Sequence, residues 1–382
     1  NERPETRRTY ESAMAKTPLP FTEIVRNLPA AIPFVGPETL QRQRGEPFRA
    51  RLGANESAFG VSPKAAAAMK EAVEEIAWYG DAESWELKQA LAEAHGASTD
   101  QIVIGAGIDA LLGVLVRAVV TPGTPVVTSD GAYPTFNYHV NGFGGRLEKV
   151  PYQEDREDWR GLVARAVAVD APLVYFSNPD NPMGTWWRAE GVQKVVGAIR
   201  GGGLLVLDEP YADSAPADAI PPIDPTDRRV VRMRTFSKAH GMAGARVAYA
   251  IAHEEIVTAF NKIRNHFEVN RVAQAGALAS FRDQAFVRRV IEEVERGRQD
   301  YYETAERLGL AAIPSATNFV AIDMGRDGDY ARSVLQALQE EGVFIRMPGV
   351  APLDRCIRVS VGRPEERAVF ADALETVIGR LG

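Results

Sequence analysis

Six short apolar runs constrain this chain more than any other feature: residues 102–104, 125–128, 173–177, 204–207, 230–234 and 247–251. Each is too brief for a helix, and together they are rich in Val and Leu. A strand with one wet face alternates polar and apolar residues, whereas a run without that alternation is buried on both faces. Helical stretches separate the runs. The expected architecture is therefore α/β, with a mostly parallel central sheet covered by helices. Ser62 followed by Pro63 is an N-cap signal and opens an Ala-rich helix expected to reach about Trp78, and a second helix is expected over 84–95.

Past about Phe281 the texture changes. A long charged helix (286–308) precedes a strand (318–324), a helix (330–341), strands at 343–347 and 357–361, and a last helix from Pro364. This predicts a smaller α+β unit. The first fifty residues carry Pro4, Pro18, Pro20, Pro29, Pro33, Pro37 and Pro47 and read as an arm with at most one short helix, loose or packed on a partner subunit. A chain of 382 residues exceeds one ordinary core. The expected division is 1–55 (arm and part of the small domain), 56–283 (large domain) and 284–382 (small domain).

Composition excludes several function classes. A net charge of −7 is the wrong sign for a nucleic-acid face. Cys356 is the only cysteine, so no disulfide forms within the chain and a reducing compartment is expected. Five histidines lack ligand spacing, which argues against a metal site. No apolar run approaches membrane-spanning length, and the charged start lacks the apolar segment of a signal peptide. The cytoplasm is the expected location.

Chemistry concentrates after the apolar runs, where open α/β sheets bind ligands. Gly105-Ala106-Gly107-Ile108-Asp109 joins a strand to a helix, so free N–H groups there suit an anion. Asn178-Pro179-Asp180-Asn181-Pro182 is either a surface turn or a rigid loop that aims the Asn181 amide. Asp208 closes a buried strand, where a carboxylate needs a cation or serves as a cap, and Tyr211 follows. Lys238 is flanked by Thr235, Ser237 and, eight residues on, Arg246. A lysine with a lowered pKa attacks aldehydes, and an arginine fork grips phosphate. Tyr133 either stacks on a flat ligand or packs in the core. Together these groups answer the needs of one cofactor: a phosphate cradle, an amine, an acid for a pyridine nitrogen, donors for a phenolic oxygen and a stacking ring.

In these motifs, with Leu52-Gly-Ala-Asn-Glu-Ser, Trp78-Tyr-Gly-Asp and Ile357-Arg-Val-Ser-Val-Gly, the chain resembles the fold type I pyridoxal-phosphate (PLP) aminotransferases of class I/II. Its nearest likeness is to the histidinol-phosphate aminotransferase group, from about Leu52 to the end. The resemblance implies that Lys238 holds PLP as a Schiff base and moves the substrate proton. It implies that Asp208 sustains the pyridinium, that Asn181 and Tyr211 donate to the phenolic oxygen, and that Tyr133 stacks. Gly107, Ile108, Asp109, Ser237 and Arg246, with Thr235 nearby, would cradle the phosphate. Tyr79 would reach the phosphate in a second subunit, which implies a homodimer. Arg358 would take the substrate carboxylate, Arg346 a substrate phosphate, and Asn55 would lie on the substrate side. The implied partners are an amino donor and a 2-oxo acid, expected to be 2-oxoglutarate.

Some residues depart from the family pattern: Ile108 stands where serine is common, Met183 where threonine is common, and Ser57-Ala58-Phe59-Gly60 replaces Asn-Pro-Phe-Gly. The competing readings are a histidinol-phosphate aminotransferase proper, a decarboxylase of the threonine-phosphate type on the same cofactor, and a regulatory protein that kept the fold.

Overall fold

A computed structural model describes residues 19–30, 35–199 and 202–382. The start of the proline-rich arm, with Pro4 and Pro18, and Pro33 lie outside the described residues. The described part of the arm holds two helices rather than one, α1 (Glu23–Asn27) and α2 (Pro37–Arg44). Thr22 caps α1, and Gly45 at φ 82° closes α2. These polar caps were masked in the sequence by the density of prolines.

The chain continues through β1 (Ala50–Arg51), α3 (Pro63–Ala72), α4 (Trp85–His95), β2 (Ile102–Gly105), α5 (Ile108–Val119), β3 (Pro125–Ser129) and α6 (Pro134–Gly142). Then follow β4 (Arg146–Val150), α7 (Trp159–Val169), β5 (Leu173–Ser177), α8 (Ala189–Ala198), β6 (Leu204–Asp208), β7 (Val230–Thr235), β8 (Ala248–Ile251), α9 (Glu254–Ile263) and α10 (Arg271–Arg282). The last stretch is α11 (Gln284–Arg307), β9 (Ala311–Ala312), β10 (Phe319–Asp323), α12 (Gly328–Glu340), β11 (Val343–Phe344), β12 (Cys356–Ser360) and α13 (Pro364–Leu381).

Seven strands form the main sheet in the order β2-β8-β7-β6-β5-β3-β4, parallel except for β8. All six apolar runs are strands of this sheet. The seventh, β4, was not foreseen: it is an edge strand, and its Arg-Leu-Glu-Lys-Val sequence carries the charges that protect edges. The helix at Ser62 ends at Ala72 and passes through a 3₁₀ turn to Glu75, short of Trp78. The strand expected over 343–347 pairs only at Val343 and Phe344, although Arg346 forms an isolated bridge with Arg358.

Apolar cores lie on both faces of the main sheet, one against α5, α6 and α9, the other against α7 and α8. A separate core joins Ala50 and Leu52 to α11, α12, α13 and the β10–β12 pair. The segment after β1 thus runs from that core across the carboxyl ends of the main strands. Gly241 fixes its path: a Cβ there would sit 1.9 Å from the Gly60 carbonyl oxygen. Among the described residues no helix is long and apolar enough to cross a membrane.

Candidate active site

Strand order turns between β3 and β5, since the chain steps outward to β4 and then returns across β3. Such switch points open a crevice at the carboxyl ends of the strands, and the chemistry-bearing residues gather there.

Lys238 follows β7 and is partly buried. Its Nζ donates to the Asn55 carbonyl at 3.1 Å and lies 5.8 Å from the centre of the Tyr211 ring. Burial, reinforced by the Arg358 charge, lowers its pKa to about 8. Asn55 adopts φ 54° and ties the site together. Its side chain donates to the Tyr211 hydroxyl at 3.0 Å and accepts from Ser360 Oγ at 3.2 Å, and its carbonyl also accepts from Asn318 Nδ2 at 3.0 Å.

Asp208 and Glu209 close β6 and have opposite fates. Glu209 accepts from Arg232 and Arg234 and is fully paired, so its pKa falls despite burial. Asp208 Oδ2 accepts from the Tyr175 hydroxyl, while its Oδ1 is buried with no hydrogen-bond partner. Burial outweighs the tyrosine and pushes this carboxyl to about 7. An orphaned buried carboxylate oxygen is costly. It fits a ligand cation that brings its own N–H, such as a protonated pyridine.

The turn before α5 is shaped for an anion. Gly107 has φ 88°, and a Cβ there would lie 2.2 Å from Arg246 Nη2, so only glycine leaves room for that guanidinium beside the N-terminus of α5. Arg246 also faces Asp109 at 3.6 Å, and Asp109 accepts from the Tyr133 hydroxyl at 2.8 Å. Ile108 opens α5, so its backbone is presented and its side chain is buried. Thr235 donates to Ser237 at 2.9 Å at the foot of the lysine loop.

The chain matches the family described as "Aminotransferase class I and II" over residues 50–374. It belongs to that family. This class I/II aminotransferase is a PLP-dependent enzyme that moves an amino group between an amino donor and a 2-oxo acid. It is 33% identical to histidinol-phosphate aminotransferase 2 of Carboxydothermus hydrogenoformans over 93% of this chain and 98% of that one. A histidinol-phosphate aminotransferase from Sinorhizobium meliloti, solved with pyridoxal-5'-phosphate, superposes with a TM-score of 0.93 at 49% identity, covering 96% of this chain and 100% of that one. Thermus thermophilus aspartate aminotransferase shares the fold, with a TM-score of 0.79 at 19% identity over 95% and 99% of the two chains.

Of the residues singled out in the sequence, Tyr79 stands apart from the cluster around Lys238, and Arg346 adjoins it at Arg358, whose charge reaches it. Tyr79 is 76% exposed and stacks on Phe267 at 4.7 Å. The Arg346 side chain donates to the Val35 carbonyl and lies over the Phe344 ring. Arg358, by contrast, reaches the cluster and donates to Asn181 Oδ1 at 2.5 Å. Sequence reasoning missed Tyr175, Asn318 and Ser360. Tyr175 lies inside an apolar run and reads as core. Asn318 and Ser360 flank strands of the other unit, and nothing local marks them as neighbours of Asn55.

Proposed function

We propose that this aminotransferase takes an anionic amine of the histidinol-phosphate type as donor and 2-oxoglutarate as acceptor. The observation that carries the substrate class is the Arg346–Arg358 bridge. The two residues exchange backbone hydrogen bonds of 3.1 and 2.6 Å as direct antiparallel partners. Direct partners project their side chains from one face. Like charges so opposed repel, and an anion between them relieves the repulsion. A phosphate at one end of the donor, or the second carboxylate of 2-oxoglutarate, supplies that anion. The relatives named above support the same donor.

The residues fit PLP. Lys238 would be the amine that meets the aldehyde, the unpartnered Asp208 Oδ1 would receive the ring N–H, and Asn181 and Tyr211 would serve the phenolic oxygen. Tyr133 would supply the stacking ring. The N–H groups at Gly107 and Ile108, with Asp109, Thr235, Ser237 and Arg246, would hold the phosphate. When bound, the cofactor supplies an electron sink for the substrate α-carbon. Lys238, whose Nζ lies 3.1 Å from the Asn55 carbonyl, would be the base that takes the proton from the substrate α-carbon. Asp208 keeps the ring nitrogen protonated throughout. Asn55 fixes Tyr211 and borders the substrate.

On the same reading, Tyr79 completes the phosphate site of a second copy, and the enzyme is a homodimer. The exposed Val73, Ile76, Trp78, Tyr79 and Phe267 form an apolar surface that supports this. The domain limits at 55 and 283 are supported by the core that unites Ala50 and Leu52 with residues from Phe286 onward. A cytoplasmic location is supported by the buried, unpaired Cys356.

The deciding experiment is a donor screen with 2-oxoglutarate, following glutamate. Histidinol phosphate is expected to outperform unphosphorylated histidinol by about a hundredfold in kcat/KM, the scale of one lost charge-assisted contact. Equal rates for the two overturn the substrate reading, and carbon dioxide release from an amino acid without glutamate formation favours a decarboxylase.

A further inference from the structure

The hydrogen bonds around Asn55 fix more than its place. Ser360, Asn55 and Tyr211 are 4%, 3% and 2% exposed, so each of their polar hydrogens needs an acceptor inside the molecule or on a ligand. Ser360 ends β12, and its backbone is held on both sides: its N–H donates to the Leu52 carbonyl at 2.8 Å, and its carbonyl accepts from the Tyr301 hydroxyl at 2.8 Å. Its Oγ accepts from the Asn55 N–H at 2.9 Å and donates to Asn55 Oδ1 at 3.2 Å. At the other end of the same amide, Asn55 Nδ2 donates to the Tyr211 hydroxyl at 3.0 Å.

An amide turns over with little change of shape, so hydrogens decide its direction. Reversal would put Nδ2 on Ser360 and Oδ1 on Tyr211. Ser360 Oγ would then face two donors, and its own hydrogen would have no acceptor, because among the described residues Asn55 Oδ1 is the one it meets. In the observed direction it is the Tyr211 hydrogen that has no acceptor among the described residues. The two directions trade one unanswered hydrogen for another, and their surroundings break the tie. Tyr211 and Lys238 line one cavity, whereas Ser360 does not. A ligand in the site answers a tyrosine hydrogen; nothing reaches a serine hydrogen behind Asn55, and an unanswered buried hydroxyl is costly.

We propose that Ser360 is a positioning residue that acts through Asn55 to aim the Tyr211 hydroxyl hydrogen at the phenolic oxygen of the cofactor. This rests on the reading of Tyr211 as a donor to that oxygen. Asn55 is the relay: its amide carries direction from a serine of the small unit to a tyrosine of the large one. Its backbone cannot drift, because its carbonyl accepts from Asn318 Nδ2 at 3.0 Å and Lys238 Nζ at 3.1 Å.

Without the Ser360 hydroxyl, Asn55 Oδ1 loses its donor. The amide then turns over and accepts from Tyr211, whose hydrogen leaves the ligand. The visible absorbance of bound PLP changes when the phenolic oxygen and the nitrogen linked to it lose the proton they share. A donor to the oxygen favours the deprotonated form. Loss of that donor therefore raises the pH midpoint of the absorbance change.

The test is an absorbance titration of the PLP-loaded protein, with no substrate present. Tyr211→Phe is expected to raise the midpoint by about one pH unit, and Ser360→Ala by about half as much. In a Tyr211→Phe background, Ser360→Ala is expected to add nothing, since no hydroxyl remains to be aimed. A serine that merely braced its strand would add its effect in both backgrounds. A shift with Tyr211→Phe but none with Ser360→Ala, or an equal added shift in both backgrounds, overturns the role of Ser360. No shift with Tyr211→Phe overturns the reading of Tyr211 and the proposal with it. Should Ser360→Ala not fold, neutron diffraction from the deuterium-exchanged, PLP-loaded parent decides the matter. The Nδ2 deuterons of Asn55 are expected to face Tyr211; a Tyr211 deuteron directed at Asn55 overturns the proposal.

Discussion

Lys238 and Asp208 carry opposite perturbations from the same cause: each is a charge deprived of water. For Lys238 the free amine is the nucleophile, so the rate of reconstitution with PLP is expected to rise with pH to a plateau, with its midpoint near 8 rather than the 10.5 of an ordinary lysine. Absorbance after mixing with PLP measures it. Lys238→Ala is expected to abolish turnover while the fold survives, checked by activity and circular dichroism. For Asp208 the sign runs the other way. Its carboxyl titrates near 3.8 when unfolded and near 7 in the folded chain without cofactor. Between those values the folded state holds the extra proton, so this residue's contribution to stability falls as pH rises through the window. Asp208→Asn removes that slope. The melting temperature of the variant relative to the parent is expected to increase from pH 4 to pH 7 without PLP, read by calorimetry at each pH.

At the scale of elements, the β2–α5 turn shows how a backbone requirement makes room for the Arg246 guanidinium at the proposed phosphate site. Gly107 lies in a region of φ and ψ that costs other residues about 1–3 kcal/mol, and its missing Cβ makes room for Arg246. Gly107→Ala is expected to lower PLP affinity by at least about tenfold and to move the pH midpoint of Lys238 only slightly, since that midpoint depends chiefly on burial and Arg358, with Arg246 a lesser contributor. Fluorescence titration of the ligand-free protein with PLP separates the two. The same scale explains what the strand pattern missed. Polar alternation hides β4 because its own residues are partly solvated, whereas β2, β3 and β5–β8 advertise themselves because both faces are covered.

For the whole molecule, the exposed aromatic surface around Tyr79 and Phe267 predicts assembly. Ile76→Asp is expected to shift sedimentation toward monomer and to reduce activity together with it, because Tyr79 then has no second site to complete. Mixing Lys238→Ala with Tyr79→Phe chains is expected to restore activity above either alone, since one site of the mixed dimer holds both intact residues. Activity that stays at the sum of the two variants contradicts shared sites.

The six buried strands, the glycine turn before α5 and the family itself were legible in the sequence, because each depends on neighbours in the chain: runs that lack alternation, a glycine before a helix, motifs in a set order. What folding alone decided was the company each group keeps. Nothing in the order of residues announces that Asn55 joins Lys238 to Ser360, or that Tyr175 leaves one oxygen of Asp208 unanswered. Such contacts link residues far apart in the chain, and their chemistry comes from the exclusion of water, which exists only once the segments have packed.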